Sequence, residues 1–98
     1  MIRGTTPTNV YNVDADLTSA SAIYITYQQG GKTIFEKELS DITVEETKLT
    51  VSLTQEDTLA LKEGEVRIQI RAKFPDGQVV ASYIITTHST AVLKDGVI

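Results

Sequence analysis

The stretch EVRIQIRAKFPDGQVVASYIITT, residues 65–87, carries most of the information about the fold. Val66, Ile68, Ile70, Ala72 and Phe74 fall on one side of an extended chain and Arg67, Gln69, Arg71 and Lys73 on the other, because successive side chains of a β-strand point to opposite faces. Pro75, Asp76 and Gly77 then supply a fixed φ followed by left-handed freedom, the chemistry of a three-residue hairpin loop that pairs Phe74 with Gln78. That register sets Ala72 opposite Val80, Ile70 opposite Ser82 and Ile68 opposite Ile84. It leaves Val79, Ala81, Tyr83 and Ile85 beside the basic residues. The returning strand is therefore apolar on both sides, whereas a strand facing water on its outer side ordinarily carries polar residues there. Arg67, Arg71, Val79, Tyr83 and Ile85 form the candidate interaction surface. Another subunit or the chain's own C-terminal segment is expected to cover it.

Upstream, the alternation repeats. SAIYITYQQGGKTIFEKEL (21–39) contains two runs of period two around a glycine pair. A three-residue loop, Gln29-Gly30-Gly31, sets Ile25 opposite Phe35 and Tyr27 opposite Thr33; a two-residue Gly-Gly loop sets Ile25 opposite Glu36, so apolar matching favours the longer loop. DITVEETKLTVSL (41–53) repeats the device with Ile42 and Val44 on one run and Leu49, Val51 and Leu53 on the other. Strands with one wet face belong to antiparallel sheets, since buried parallel strands read as continuous apolar runs. RGTTPTNVYNVDA (3–15) reads as a first strand, with Pro7 at an edge or ahead of it because proline cannot donate to a ladder.

LTQEDTLALKEGEV (53–66) breaks the rhythm. Thr54 suits an N-cap, Glu56 and Asp57 suit the positive start of a helix, and Gly64 suits its end. A single turn is unstable alone, so Leu59 or Leu61 is expected to plug an open end of the fold. Together these signals predict an all-β, immunoglobulin-like antiparallel β sandwich of seven or eight strands, with one short helical crossover near residues 55–62. The chain reads as one domain over 1–98, since 98 residues leave no room for a second core.

The chain has no cysteine, so neither a disulfide nor a thiolate metal site supports the fold. Thirteen acids against nine bases give a net charge of −4, which opposes general attraction to nucleic acid or anionic membranes. MIRGTTPTN (1–9) lacks the apolar core of a signal peptide, and no run approaches the roughly 20 apolar residues of a membrane span. His88 is the sole histidine and sits in no nucleophile motif, so the chain is not expected to be an enzyme. Asp14 and Asp16 form a D-x-D pair without the further oxygen ligands of a calcium loop, so no metal and no cofactor is expected. The stripe Arg67, Arg71, Lys73 lacks the interleaved aromatics of a single-strand binder, and no nucleic-acid partner is expected. Tyr24 and Tyr83 are the tyrosines that alternation leaves outside, the remnant of a sugar-stacking platform. HSTAVLKDGVI (88–98) carries Val92, Leu93, Val97 and Ile98 around a turn, and docks as a last strand either on its own domain or on a neighbour.

MIRGTTPT (1–8), LTQEDTLALKEGEVRIQIRAKFPDG (53–77) and VLKDGVI (92–98) resemble a family of short proteins encoded in phages and prophages. The likeness spans nearly the whole chain. The chain is also similar, more loosely, to the immunoglobulin-like N-terminal domain of phage baseplate upper proteins, where a strand, a T-x-E-D-T turn and another strand recur. These resemblances imply a non-catalytic structural or assembly protein of the tail, baseplate or head, in the virion or in the host bacterial cytoplasm during assembly. Its expected partners are other copies of itself, as a homo-oligomer, or other phage structural proteins. The family supplies no catalytic or ligand residues to carry over. The alternative function is a carbohydrate-binding module for bacterial surface glycans.

Overall fold

The computed structural model describes residues 1–98. Its strands are β1 (Thr8–Asn12), β2 (Ala22–Gln29), β3 (Lys32–Glu38), β4 (Ile42–Glu45), β5 (Lys48–Ser52), β6 (Gly64–Lys73), β7 (Val79–Ala81) and β8 (Ile85–Ser89). A helical turn, α1 (Gln55–Ala60), joins β5 to β6. One sheet has the order β1-β5-β4; the other has the order β3-β2-β6, with β7 and β8 following one another along the far edge of β6. All these strand pairs are antiparallel. β1, β5 and β4 take the places of strands B, E and D of an immunoglobulin-like sandwich, and β3, β2, β6 and β8 those of C′, C, F and G. The protein is an all-β, immunoglobulin-like sandwich.

Period-two alternation builds its core. Ile23, Ile25 and Tyr27 of β2 and Val66, Ile68 and Ile70 of β6 are buried from one sheet, against Tyr11, Leu49 and Val51 of the other. Each fully buried aliphatic contributes about 1.5–3 kcal/mol relative to exposure. The expected positions of Pro7 and of the 74–78 loop are found: Pro7 precedes β1, Phe74 N–H donates to the Gln78 carbonyl at 2.8 Å, and Gly77 has φ 91°.

The first hairpin differs from expectation. Its loop is the two-residue pair Gly30-Gly31, with φ of 57° and 77°, and Gln29 pairs with Lys32. A bulge between Tyr27 and Gln28 then shifts the register, so that Tyr27 faces Phe35 and Ile25 faces Lys37. Two left-handed glycines match the twist of the flanking strands better than a longer loop, and the bulge recovers the apolar match in another way. The Tyr27 and Phe35 rings stack with centroids 4.4 Å apart.

This register turns Lys37 toward α1, where its Nζ lies 2.6 Å from the Asp57 carboxylate, both side chains being mostly buried. Asp57 also closes a capping box: its N–H donates to Thr54 Oγ1 at 3.1 Å and its Oδ2 accepts from Thr54 N–H at 2.9 Å. The turn ends at Leu61 (φ −75°, ψ 144°), which is fully buried, while Gly64 opens β6 instead of ending the helix. Leu61 is the plug; Leu59 is half-buried. Arg3 binds the other end of the turn, its guanidinium donating to the carbonyls of Leu61 (2.6 Å) and Leu59 (3.0 Å). The parallel bridge Ile2–Thr90 places this N-terminal segment beside the end of β8.

Between the sheets, the hydroxyls of Tyr11 and Tyr27 hydrogen-bond at 3.0 Å, and Asn9 Nδ2 donates to Tyr27 at 3.1 Å. Burial, and then the neighbouring Tyr27, push the Tyr11 phenol above its ordinary pKa; burial likewise raises Tyr27. A raised folded-state pKa means stability that is complete below the unfolded value of about 10 and declines as pH climbs above it. Denaturant unfolding measured from pH 8 upward is expected to show that decline, and Tyr11→Phe to make it shallower.

Candidate functional site

The outer face of the larger sheet is built in rows that the ladders fix. Glu38, Tyr24, Arg71 and Ala81 are successive neighbours across β3, β2, β6 and β7, and Glu36, Thr26 and Gln69 form the next row. Gln28, Arg67 and Thr86 form a third. Acids thus occupy the β3 side and bases the β6 side. Neither Arg67 nor Arg71 makes an ion pair. Both are exposed.

The strand pairing with β6 carries a break that sequence alternation did not reveal. From Val79 to Ala81 the pairing is as expected, with Ala72 opposite Val80. Beyond the break Ile68 faces Ile85, one residue later than predicted. Ser82, Tyr83 and Ile84 absorb the extra residue. Ser82 N–H donates to the Ile70 carbonyl at 2.8 Å, its Oγ accepts from Ile70 N–H at 3.0 Å and donates to the Tyr83 carbonyl at 2.8 Å. Gln69 Nε2 secures the Ser82 carbonyl at 3.0 Å. A hydroxyl and an amide therefore satisfy the backbone where the ladder lapses, as an unpaired buried group demands.

A one-residue shift exchanges the faces of everything after it. Ile85, expected outside, is half-buried and packs against the core, whereas Ile84, expected inside, is 48% exposed. Tyr83 at the crest is 90% exposed and Val79 48%. The surface observed is Arg67, Arg71, Val79, Tyr83 and Ile84, so Ile85 is replaced by its neighbour. A depression of about 160 Å³ lies among Thr26, Gln28, Arg67, Gln69, Arg71 and Ile84. The sequence signal that could have found the bulge is Ser82, a short hydroxyl opposite Ile70 on what would be the core face.

The other residues singled out are separated from this face or used locally. Asp16 accepts from Thr18 N–H (2.9 Å) and Oγ1 (2.7 Å), hydrogen bonds that hold its carboxyl below the usual range. This is an Asx turn. No group of three His, Cys, Asp or Glu side chains is gathered as metal ligands. His88 is exposed, sits opposite Glu65, and its carbonyl receives the terminal ammonium of Met1 at 2.6 Å. Tyr24 stands two strands from β7, roughly 10 Å by strand spacing, and stacks on no other ring. No helix is long and apolar enough to cross a membrane.

No family model and no curated protein matches the chain. Among solved structures it is similar to the V domain of amphioxus IgVJ-C2, at 15% identity over 94% of this chain and 97% of that one, with a TM-score of 0.39.

Proposed function

We propose that this protein is a non-catalytic phage or prophage structural protein that works through protein–protein contacts of the outer sheet face. The observation that carries the contact is the bulge, which lifts Tyr83 and Ile84 clear of the sheet beside Val79 and two arginines without carboxylate partners. An aromatic anchor flanked by arginine has the composition of an interface hot spot. At about 25 cal/mol per Å², covering a few hundred Å² of apolar surface contributes several kcal/mol before association entropy is subtracted. The phage role rests on the resemblance of residues 1–8, 53–77 and 92–98 to phage and prophage proteins. On this reading the protein resides in the virion, or in the host cytoplasm during assembly.

Tyr83 is so exposed that Tyr83→Asp should leave the unfolding midpoint nearly unchanged while weakening capture of partners at least tenfold, the effect of losing a hot-spot aromatic. Pull-down from phage-infected cells with the wild type and this variant checks it. Recovery of structural proteins by the wild type alone is the expected result. Equal recovery by both would reject the face, and recovery of cell-wall material instead would favour the glycan-binding alternative.

A further inference from the structure

One long side of the sandwich is open. β1 pairs only with β5 and β7 only with β6, so the outer edges of Thr8–Asn12 and Val79–Ala81 have no strand beside them. Where these edges approach, a slot of about 380 Å³ lies between the sheets, walled by Val13, Ala15, Leu17, Ile70, Val80 and Ile85. Its walls are mostly apolar and offer water few polar partners. Asp14 stands at the rim and makes no ion pair.

The segment Ala91–Ile98 has the complementary properties. None of its residues makes a backbone–backbone hydrogen bond. Leu93 is fully exposed and Ile98 is 87% exposed. Its ties to its own domain are Val92, half-buried beside Gly4, the Gln55 side-chain amide, which bonds Ile98 through both backbone groups at 2.9 and 3.1 Å, and a 3.9 Å contact of Arg3 with Asp95. Lys94 donates only to the adjacent Asp95 carbonyl at 3.2 Å. Thr90, where the segment begins, is held beside Met1–Arg3 on the free edge of β8. Folding back along β8 to the slot of its own domain would require displacing that N-terminal segment.

We infer that the slot receives residues Ala91–Lys94 of a second copy, added as a short strand along the free edge of β7. The donated segment's unpaired backbone meets the unpaired edge, Leu93 fills the apolar slot, and Lys94 reaches Asp14. Giver and receiver are different surfaces, so the contact is heterologous and repeats head to tail into a ring or a filament. Tyr83 borders this slot as well as the outer face, whereas Arg67, Arg71 and Ile84 belong to the outer face alone, and it is at these three that the two proposals part.

Light scattering of the wild type is expected to show a mass climbing above that of one chain as concentration rises from roughly 10 μM to roughly 1 mM. Leu93→Asp should weaken this self-association more than tenfold. Asp14→Lys and Lys94→Asp should each weaken it about fivefold, and mixing these two variants should restore it. A synthetic peptide of residues 90–96, added to the wild type at low concentration, should shift the NMR amide signals of Asp14, Val80 and Ser82. A single-chain mass throughout, with those amides unmoved by peptide, would overturn the inference. So would self-association that survives Leu93→Asp and disappears in Arg71→Glu, a residue of the outer face that does not line the slot, a result that supports the outer face in its place.

Discussion

Asp57→Ala is expected to destabilise the domain by about 2–4 kcal/mol. Removing one partner of a buried ion pair leaves the other charge uncompensated, at a cost of about 3–5 kcal/mol when both are fully buried. Here each side chain retains roughly one-sixth of its exposure, so Lys37 can recover some hydration, and the expected loss is smaller. The capping box is lost with the carboxylate, leaving Thr54 N–H without its acceptor. Lys37→Met combined with Asp57→Asn should cost less than Asp57→Ala, because it removes both charges and keeps a capping oxygen. Denaturant unfolding of the three proteins measures this ordering; an Asp57→Ala midpoint equal to that of the wild type would refute it.

The same residue sets an acid limit. Burial pushes the Asp57 carboxyl upward, but the hydrogen bond from Lys37, the Thr54 backbone N–H and the Lys37 charge outweigh it and hold the carboxyl below its usual range. A depressed folded-state pKa contributes stability that is complete above the unfolded value of about 3.9 and is lost as pH falls through the folded one. The wild type should therefore lose stability below about pH 4, more steeply than Asp57→Ala does.

Leu61→Ala is expected to cost about 2–4 kcal/mol, lowering the melting temperature by about 10–25 °C for a domain of this size. Leu61 is fully buried at the point where the chain leaves α1. A six-residue helical turn has almost no stability of its own, so its apolar anchor decides whether it forms. The shape of the site limits repair: Arg3 holds the Leu61 carbonyl and Thr58 Oγ1 holds the Thr5 carbonyl at 2.8 Å, which resists collapse of the backbone into the cavity. Leu59→Ala, at a half-buried position, is the control and should cost markedly less. Calorimetry on the two variants distinguishes them.

The sandwich was legible in the residues because its determinants are local. Alternation from Val66 to Phe74 fixes which face of β6 is inside, Pro75-Asp76-Gly77 fixes the following loop, and Thr54 with Asp57 fixes the start of the crossover. Each involves neighbours in the chain and backbone preferences that short sequences express. The pairings that decided the candidate site are not local. Whether the ladder slips at Ser82 depends on how Ile70 N–H is satisfied across the sheet, and whether Lys37 is a surface base or a buried ion depends on the bulge opposite Tyr27.

Arg3 is the plainest case of information absent from the chain order. Its guanidinium binds carbonyls 56 and 58 residues away, which no spacing rule connects to a residue near the N-terminus. The amino-acid sequence alone determined that this protein is an antiparallel sandwich, which face of its longest strand is core, and that a capped turn crosses between its sheets, since side-chain periodicity and turn chemistry act over a few residues. Tertiary structure alone decided that Ile84 and not Ile85 reaches the surface, that Tyr83 stands at its crest, and that an apolar slot stays open between β1 and β7. Those outcomes depend on register, and a shift of one residue costs little locally while exchanging every face beyond it.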